Sequence, residues 1–267
     1  TVIGARDFLI AYNVNLNTKS VRLANSVAFD VREAGRVKRE GNAVTGKVVK
    51  DADGNDVRIS GTLKACKAIG WYIQEYGIAQ VSMNLTDINV TPVHVAFDEC
   101  VHSAHNRGMR VTGSELVGLM PLKALTDAGK YFLRKQKRST GVSVEELIKI
   151  AVKSLGLDDL TPFKPEERII EFLLEDKKSF GLISMNLRAF ADETASESPA
   201  PGGGSIAAYA GALGVSLGTM VANLSSHKPG WDDRWEEFSK WAEKGQQLKD
   251  QLLVLVDEDT RAFNNIM

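Results

Sequence analysis

The sequence predicts an α+β unit followed by an all-α unit, and three observations support this division. Alternating and helical runs over residues 8 to 112 follow one another in the order β-α-β-β-α-β. Every periodic run beyond residue 201 is helical. At 267 residues the chain is long enough for two units that each bury a core. We therefore expect a first unit over residues 1–180, a linker over residues 181–200, and the opening of an incomplete helical bundle over residues 201–267.

The first strand and helix are predicted at the start of the α+β unit. Residues 8 to 16 alternate and are rich in Ile, Val and Tyr, which is typical of a strand. Asn17 and Thr18 can cap the helix that follows, and this helix ends before Gly35. Its predicted buried face consists of Val21, Ala24, Val27, Ala28 and Val31.

A hairpin insert is predicted at residues 44 to 59, around a turn at residues 51 to 56. The turn resembles a calcium loop only superficially, because its glycine comes too early and the twelfth position is Thr62 rather than Glu. The turn preference of these residues favours an ordinary turn without a metal ion.

Two further runs, at residues 65 to 73 and 78 to 85, predict an antiparallel strand pair. In the second run, Gln80, Ser82 and Asn84 share one face, whereas the alternate residues are apolar. The polar face is either solvated or lines a ligand site. The pattern alone favours solvation.

Thr91 and Pro92 open the second predicted helix, which ends before Gly108. Residues 109 to 112 then predict a short last strand. The resulting order is that of a ferredoxin-like sandwich, in which an antiparallel sheet carries two helices on one face. Extra helices are predicted at residues 121 to 135, 143 to 155 and 166 to 176.

The composition excludes several classes of function. Thirty-three Lys and Arg balance 34 Asp and Glu, so no net field attracts nucleic acid or anionic lipid. Cys66 and Cys100 are predicted to be buried, reduced thiols, which indicates a cytoplasmic protein. Residues 1 to 7 carry no signal-peptide pattern, and both ends of the chain look cut. His102 and His105 share a helix face but have no matching acidic or Cys ligand, so we expect no metal site.

Three consecutive glycines open the helical unit. Gly202, Gly203 and Gly204 lack Cβ atoms, and Ser205 is a natural N-cap. Backbone N–H groups at such a helix start can face an anion or a polarised carbonyl. A flexible joint is an equally good interpretation, and the sequence leaves both open.

The stretch from residue 206 to residue 224 contains no charged residue, which raises the hypothesis of a membrane span. Its polar and glycine residues and the lack of basic flanks favour a helix buried in a bundle instead, so we expect no membrane span. Its small residues predict two ridges for close helix packing, Ala207 with Gly211 and Ala210 with Gly214 and Gly218.

The last helical pattern places a carboxylate in an apolar stripe. The stripe advances by threes and fours, and Asp259 fills its one missing step. Burial of an unpaired carboxylate is unfavourable, so Asp259 is expected to have a paired structural role or a chemical one. Asp257 and Glu258 point away from the stripe and are expected to be solvated. The apolar members are Leu248, Leu252, Leu255, Ala262, Phe263 and Ile266.

Five runs of residues resemble a known pair of enzymes. Residues 68 to 87 (AIGWYIQEYGIAQVSMNLTD), 113 to 125 and 155 to 174 resemble the C-terminal subdomain of glutamate formiminotransferase. Residues 198 to 208 (SPAPGGGSIAA) and 255 to 263 (LVDEDTRAF) resemble the opening of formimidoyltetrahydrofolate cyclodeaminase. The chain is therefore similar to the bifunctional formimidoyltransferase-cyclodeaminase family, least so at residues 37 to 60.

The resemblance implies two successive reactions of histidine breakdown. The transferase moves a formimino group from N-formimidoyl-L-glutamate to tetrahydrofolate, which is a substrate and can be polyglutamated. The cyclodeaminase then closes a ring to give 5,10-methenyltetrahydrofolate and ammonia. The resemblance also implies a homo-oligomer that uses no metal ion.

The same resemblance assigns site residues. Gly61, Glu115 and Pro165 are expected to contact folate, although the family member used for this assignment carries Gln in place of Glu115. Asp259 is expected to be the general acid of the cyclodeaminase, and the residues from Gly202 to Ser205 to orient the folate. Gln80, Ser82 and Asn84 are expected to face a cleft that the transferase's N-terminal subdomain completes.

That N-terminal subdomain carries the transferase's catalytic His, and no part of this sequence matches it. None of the four histidines is therefore expected to take that role. The alternative hypothesis is a folate-binding or oligomer-assembly fragment that is catalytically incomplete.

Overall fold

The structure is a computed structural model that describes residues 8–41, 45–174 and 181–266. The chain divides into two compact units. The first comprises Thr1–Gly129 and Ile148–Leu173, and the second comprises Lys130–Leu147 and Leu174–Met267.

The elements follow one another in a mixed first part and a helical second part. The strands are β1 (Ile10–Leu16), β2 (Arg36–Val37), β3 (Arg58–Ile59), β4 (Cys66–Ile73), β5 (Ile78–Leu85) and β6 (Val111–Val117). The helices are α1 (Val21–Val31), α2 (Val93–His105), α3 (Leu122–Lys135), α4 (Val144–Leu155), α5 (Pro165–Arg168), α6 (Ile170–Leu174), α7 (Leu187–Thr194), α8 (Gly203–Ser225) and α9 (Trp235–Ile266). Short 3₁₀ helices span Leu182–Ser184 and Asp232–Arg234.

A four-stranded antiparallel sheet in the order β4-β5-β1-β6 forms the centre of the first unit. One face of this sheet packs against α1 and α2. Gly70 lies on that face, where a Cβ would overlap Ala24 of α1, so the absence of a side chain lets the helix approach the strand. The alternating β1 residues on this face are fully buried: Ile10, Tyr12, Val14 and Leu16. The predicted α+β architecture is confirmed.

The last strand is longer than predicted and is shifted along the chain. The sequence predicts a strand at residues 109 to 112, whereas β6 runs from Val111 to Val117. Gly113, Ser114 and Glu115 have weak strand propensity, and pairing with β1 holds them in the sheet. Tertiary pairing therefore overrides local preference here.

The residue that caps α1 differs from the prediction, and the last predicted helix of the first unit is interrupted. Ser20 rather than Asn17 or Thr18 caps α1, because its side chain accepts a hydrogen bond from the Leu23 backbone N–H. The predicted helix at 166 to 176 is broken into α5 and α6, because Ile169 is extended and bridges to Met120. Residues 175 and 176 of that prediction lie outside the described residues.

The predicted hairpin insert is recovered in part. β2 pairs with β3, and isolated bridges join Arg39 to Val48 and Lys50 to Asp56. The turn is closed by the Asp51 carboxylate, which accepts hydrogen bonds from two backbone N–H groups at 3.0 and 2.8 Å. Residue 44 of the predicted insert lies outside the described residues.

Both cysteines lie in the core of the first unit, as predicted. Cys66 and Cys100 are free and buried. Burial raises the pKa of the Cys66 thiol to about 12, and the nearby Glu33 carboxylate adds to this effect. Burial also raises the pKa of Cys100. The two thiols are therefore apolar packing groups at neutral pH.

The second unit is built on the antiparallel contact between α8 and α9. The helices approach closely where Gly245 faces Thr219, because a Cβ at Gly245 would overlap the Thr219 hydroxyl. The segment before α4 joins the same unit, since the Thr140 backbone N–H donates to Ser239 Oγ at 2.9 Å. Where Gly245 faces Thr219, the contact between α8 and α9 is made by a small residue and a polar one.

Within the described residues helix α8 is buried along one face only, so the expectation of a helix buried in a bundle stays a prediction. Its buried residues are Ser205, Ala212, Thr219 and Ala222. The predicted ridge of Gly214 and Gly218 is open, with no atom of the described chain within 4 Å of a Cβ placed there. By length and composition α8 is a candidate membrane span, with 22% of its most apolar window buried. One such helix is weak evidence for a membrane protein.

Candidate functional site

A polar cluster lies on the sheet face opposite α1 and α2. Strand register places Asn13 beside Glu115 and Asn15 beside Gln80, with these side chains on this face. We call Asn13, Asn15, Gln80 and Glu115 the amide-carboxylate cluster. Three strands, β1, β5 and β6, position its members.

Direct hydrogen bonds connect all four side chains of the cluster. Asn13 Nδ2 donates to Gln80 Oε1 and to Glu115 Oε2, both at 3.2 Å. Gln80 Nε2 donates to Asn15 Oδ1 at 2.8 Å and to Glu115 Oε2 at 3.1 Å. The Glu115 carboxylate therefore accepts hydrogen bonds from two amides and fixes their orientation.

Two further residues border the cluster. The Tyr76 hydroxyl, from the turn between β4 and β5, donates to Glu115 Oε1 at 3.3 Å. The charge of Glu115 raises the pKa of the Tyr76 phenol above its ordinary value. At the other end, Asn15 Nδ2 donates to Asp159 Oδ2 at 3.0 Å. The cluster thus presents acceptor and donor groups along one line of the sheet.

The three polar residues of β5 have different environments. Gln80 is fully buried, so the prediction that this face is solvated is wrong at that position. Ser82 is half-buried and Asn84 is exposed. Gln80 is enclosed because it is hydrogen-bonded on both sides, to β1 and to β6.

Large apolar side chains surround the cluster on the same face. Ile69 and Trp71 on β4 and Val117 on β6 are exposed, at 54%, 43% and 50%. A row of polar side chains between exposed apolar side chains suits a ligand that has both flat apolar parts and hydrogen-bonding groups.

The Glu115 carboxylate is expected to hold the cluster together. In Glu115→Leu the Asn13 and Gln80 amides lose an acceptor, and we expect the free energy of unfolding to fall by about 1–3 kcal/mol. Glu115→Gln keeps an oxygen acceptor and is the matched control, with a change below about 1 kcal/mol. Urea unfolding of the 267-residue chain measures both. Equal losses in the two variants would contradict the role of the shared acceptor.

Gly61 and Pro165, the other predicted folate contacts of the first unit, lie outside the strands that hold the cluster. Gly61 lies beside the end of α1, where a Cβ would overlap the Arg32 backbone carbonyl. Helix α1 packs on the other face of the sheet from Glu115. Pro165 is the first residue of α5. Neither Gly61 nor Pro165 is a member of the amide-carboxylate cluster.

A second candidate site lies in the second unit, where the Asp259 carboxylate meets the start of α8. The Ser205 backbone N–H donates to Asp259 Oδ2 at 2.9 Å. The Ser205 hydroxyl lies 3.1 Å from the same oxygen and 2.8 Å from the Val256 carbonyl oxygen. Asp259 is half-buried and Ser205 is fully buried. The contact thus joins the helix start to the carboxylate that the sequence singles out.

The Ser205 hydroxyl lies within hydrogen-bond distance of two oxygen atoms, the Val256 carbonyl oxygen and Asp259 Oδ2. A hydroxyl has one proton to donate, so it donates to one of these oxygens at a time. The Ser205 hydroxyl can therefore turn between the Val256 carbonyl and the Asp259 side chain.

The glycine segment starts α8 differently from the prediction. Gly202 is the N-cap and has no side chain to bond the helix, so Ser205 is not the N-cap as predicted. Ser205 is instead the third residue of the helix, and the side chain that bonds its backbone N–H is that of Asp259. An acidic group at a helix N-terminus interacts favourably with the exposed N–H groups there.

The predicted apolar stripe of α9 is wrong as a buried face. Leu255, Phe263 and Ile266 are exposed, at 46%, 41% and 85%, whereas Val256 is fully buried. The described part of the unit covers α9 on its α8 side, so apolar residues on the remaining faces stay open. In the structure, the contact with Ser205 distinguishes Asp259 from its neighbours, and the apolar stripe does not.

The two acidic residues before Asp259 in the sequence differ in their exposure to solvent. Glu258 is exposed, as predicted. Asp257 is half-buried rather than solvated, and its carboxylate lies against Gly181, where a Cβ would overlap it. The Asp257 carboxylate thus makes a contact of its own with Gly181, apart from the contact between Asp259 and Ser205.

The close contact at Gly204 predicts opposite effects for two adjacent substitutions. A Cβ at Gly204 would overlap Asp259 Oδ1, whereas a Cβ at Gly203 meets no atom within 4 Å. We expect Gly204→Ala to lower the free energy of unfolding by about 1–3 kcal/mol, as overpacking does. Gly203→Ala should raise it by about 0.5–1 kcal/mol, since both glycines are helical. Urea unfolding separates the two variants, and an equal change in both would contradict the contact.

Sequence reasoning missed Asn13, Asn15, Tyr76 and Asp159. The two asparagines alternate with apolar residues in β1, and this alternation is a signal for a polar sheet face. Tyr76 and Asp159 lie in connecting segments, and only the folded chain brings them to the cluster.

Comparison with known proteins finds two matched families along the chain. Residues 11–175 match the family described as formiminotransferase domain. Residues 186–267 match the family described as formiminotransferase-cyclodeaminase. The two matches occur in the same order as the two predicted units.

Individual relatives agree with these matches. The chain is 40% identical over 268 residues to the formimidoyltransferase-cyclodeaminase of Gallus gallus, which covers 100% of this chain and 46% of the relative. It is 34% identical over 134 residues to the glutamate formimidoyltransferase of Thermoplasma acidophilum, covering 50% of this chain and 36% of that protein. It is 35% identical over 81 residues to the methenyltetrahydrofolate cyclohydrolase of Methylorubrum extorquens, covering 30% of this chain and 39% of that protein. The chain spans about half the length of the curated formimidoyltransferase-cyclodeaminases that it matches.

Proposed function

The chain belongs to the formiminotransferase-cyclodeaminase family, an enzyme family, and from this premise we propose that it carries parts of two folate-dependent active sites of histidine degradation. The first transfers a formimino group from N-formimidoyl-L-glutamate to tetrahydrofolate. The second closes the ring to 5,10-methenyltetrahydrofolate and releases ammonia. Tetrahydrofolate is a substrate in this scheme, and no metal ion takes part.

The Asp259–Ser205 contact is the observation that carries the proposal for ring closure. As the ring-closing nitrogen bonds to the formimidoyl carbon, the bond from that carbon to the departing nitrogen breaks. The departing nitrogen carries one hydrogen and needs two protons to leave as ammonia: the ring-closing nitrogen gives up one as it joins the ring, and Asp259 donates the other. Ser205 supports the donor because its hydroxyl can turn from the Val256 carbonyl to the new carboxylate. The glycines from Gly202 to Gly204 orient the folate beside this carboxyl.

We place the transferase part of the function at the amide-carboxylate cluster. Amide and carboxylate groups between exposed apolar side chains are suited to the flat, hydrogen-bonding ring system of folate. In this proposal Ser82, Asn84 and Glu115 face the ligand cleft, and the buried Gln80 holds the Glu115 carboxylate in position. Gly61 and Pro165 contact other parts of the folate.

Several finer assignments belong to the same proposal. The strand order β4-β5-β1-β6 with two helices on one face supports a ferredoxin-like first unit, and α8 with α9 supports the opening of a helical bundle. The family matches at 11–175 and 186–267 support units at 1–180 and 201–267 with a linker at 181–200. The open small-residue face of α8 supports a homo-oligomer. The two reduced, buried thiols support a cytoplasmic location.

A coupled assay tests the proposed function. A full-length enzyme that contains this chain is supplied with N-formimidoyl-L-glutamate and tetrahydrofolate, and ammonia and methenyltetrahydrofolate are measured together. We expect both products in equal amounts. If folate binds but neither product forms, the alternative of a folate-binding or assembly module replaces the enzymatic one.

A further inference from the structure

A groove of about 420 Å³ lies on the outer side of α1, between this helix and the β2–β3 ribbon. We call it the arginine groove, because five arginines line it together with Asn25, Ser26, Phe29 and Val37. It contains none of the residues of the two candidate sites. The arginines are Arg22, Arg32, Arg36, Arg39 and Arg58.

Backbone carbonyl groups hold four of the five guanidinium groups in place. Arg32, Arg36, Arg39 and Arg58 each donate a hydrogen bond to a carbonyl oxygen, at 2.9, 2.9, 2.8 and 3.1 Å, and Arg32 donates a second at 3.5 Å. The Arg32 guanidinium also lies over the Phe29 ring, 4.0 Å from its centroid. A guanidinium has five N–H donors, so each of these groups keeps further donors for a ligand. The groove is therefore preorganised.

Carboxylates neutralise only part of the charge in the arginine groove. Asp30 pairs with Arg36, and it pairs with Arg107 as well. Over residues 8–41, 45–174 and 181–266 no carboxylate forms an ion pair with the other four groove arginines. Positive charge is thus in excess inside the groove.

The excess charge has an energetic consequence. Burial lowers the pKa of the Arg32 guanidinium, and the positive charge of Arg58 lowers it further. Like charges held close together oppose folding, and an anion between them relieves the repulsion. Strand β3, which supplies Arg58, lies within residues 37 to 60, where the resemblance to the family is weakest.

We propose that the arginine groove binds a small ligand that carries two or more adjacent anionic groups, phosphates or carboxylates. The planar fork of a guanidinium matches both groups through paired hydrogen bonds. The volume of the groove suits a compact ligand rather than a polymer. Several fixed forks around one space favour a ligand with several charges over a single anion.

Calorimetric titration of the 267-residue chain with two probes tests this proposal. Pyrophosphate represents adjacent phosphates, and citrate represents adjacent carboxylates. We expect at least one probe to bind, and the tighter probe identifies the class of anion. In the double variant Arg22→Gln with Arg58→Gln, we expect the dissociation constant to rise at least about tenfold, the scale of one lost charge-assisted hydrogen bond.

A second double variant controls for net charge. Arg110→Gln with Arg188→Gln removes the same charge from two exposed positions outside the groove, and we expect less than about a twofold change. Both double variants replace exposed side chains, and their unfolding midpoints are compared with that of the wild-type chain. Failure of both probes to bind, or equal weakening in the two double variants, overturns the proposal.

Discussion

Replacing Asp259 by asparagine is expected to slow ring closure and ammonia release by a factor of about a hundred or more in a full-length enzyme that contains this chain. Asparagine keeps the size of the side chain and an oxygen that can accept from the Ser205 backbone N–H. It cannot donate a proton from a carboxyl group. The fold is therefore preserved while proton delivery is lost.

The transferase step provides the internal control for Asp259→Asn. We expect formimino transfer to tetrahydrofolate to continue at an unchanged rate, so that formimidoyltetrahydrofolate accumulates. A fall in both activities would assign Asp259 a structural role. If neither activity fell, the half-buried carboxylate of Asp257 would become the better candidate.

The 267-residue chain by itself is expected to transfer no formimino group above background. The resemblance places the transferase's catalytic His on an N-terminal subdomain that no part of this sequence matches. The amide-carboxylate cluster on β1, β5 and β6, which we propose faces folate, is not expected to bind and position both substrates without that subdomain. Purified chain is supplied with N-formimidoyl-L-glutamate and tetrahydrofolate, and heat-denatured chain gives the background. Turnover above it would show that one of the four histidines takes the role.

Most of the first unit could be predicted from the sequence, because its elements have strong local patterns. Strand β5 has the predicted bounds, and α1 buries four of the five predicted stripe residues. The exception in the sheet is β6, where Gly113, Ser114 and Glu115 carry no strand signal. Pairing with β1 determines this strand, and pairing is not a local property.

The candidate sites could be predicted only in part. The sequence singles out Asp259 by an apolar stripe that is largely exposed in the structure, and the contact of Asp259 with Ser205 arises from the pairing of α8 with α9. The sequence predicts Gln80 as a site residue, but its hydrogen bonds are made with Asn13, Asn15 and Glu115 from other strands. These contacts join residues that are far apart in sequence, so periodicity along one element could not show them.

Chemical rescue of Asp259→Ala tests most directly whether Asp259 delivers the proton. This variant removes the carboxyl and leaves space for a small acid. In a full-length enzyme supplied with formimidoyltetrahydrofolate, we expect added formate to restore ammonia release in a saturable manner, because formic acid can donate the missing proton. Chloride at the same ionic strength should restore nothing. Full ammonia release by Asp259→Ala without formate would contradict proton delivery by Asp259.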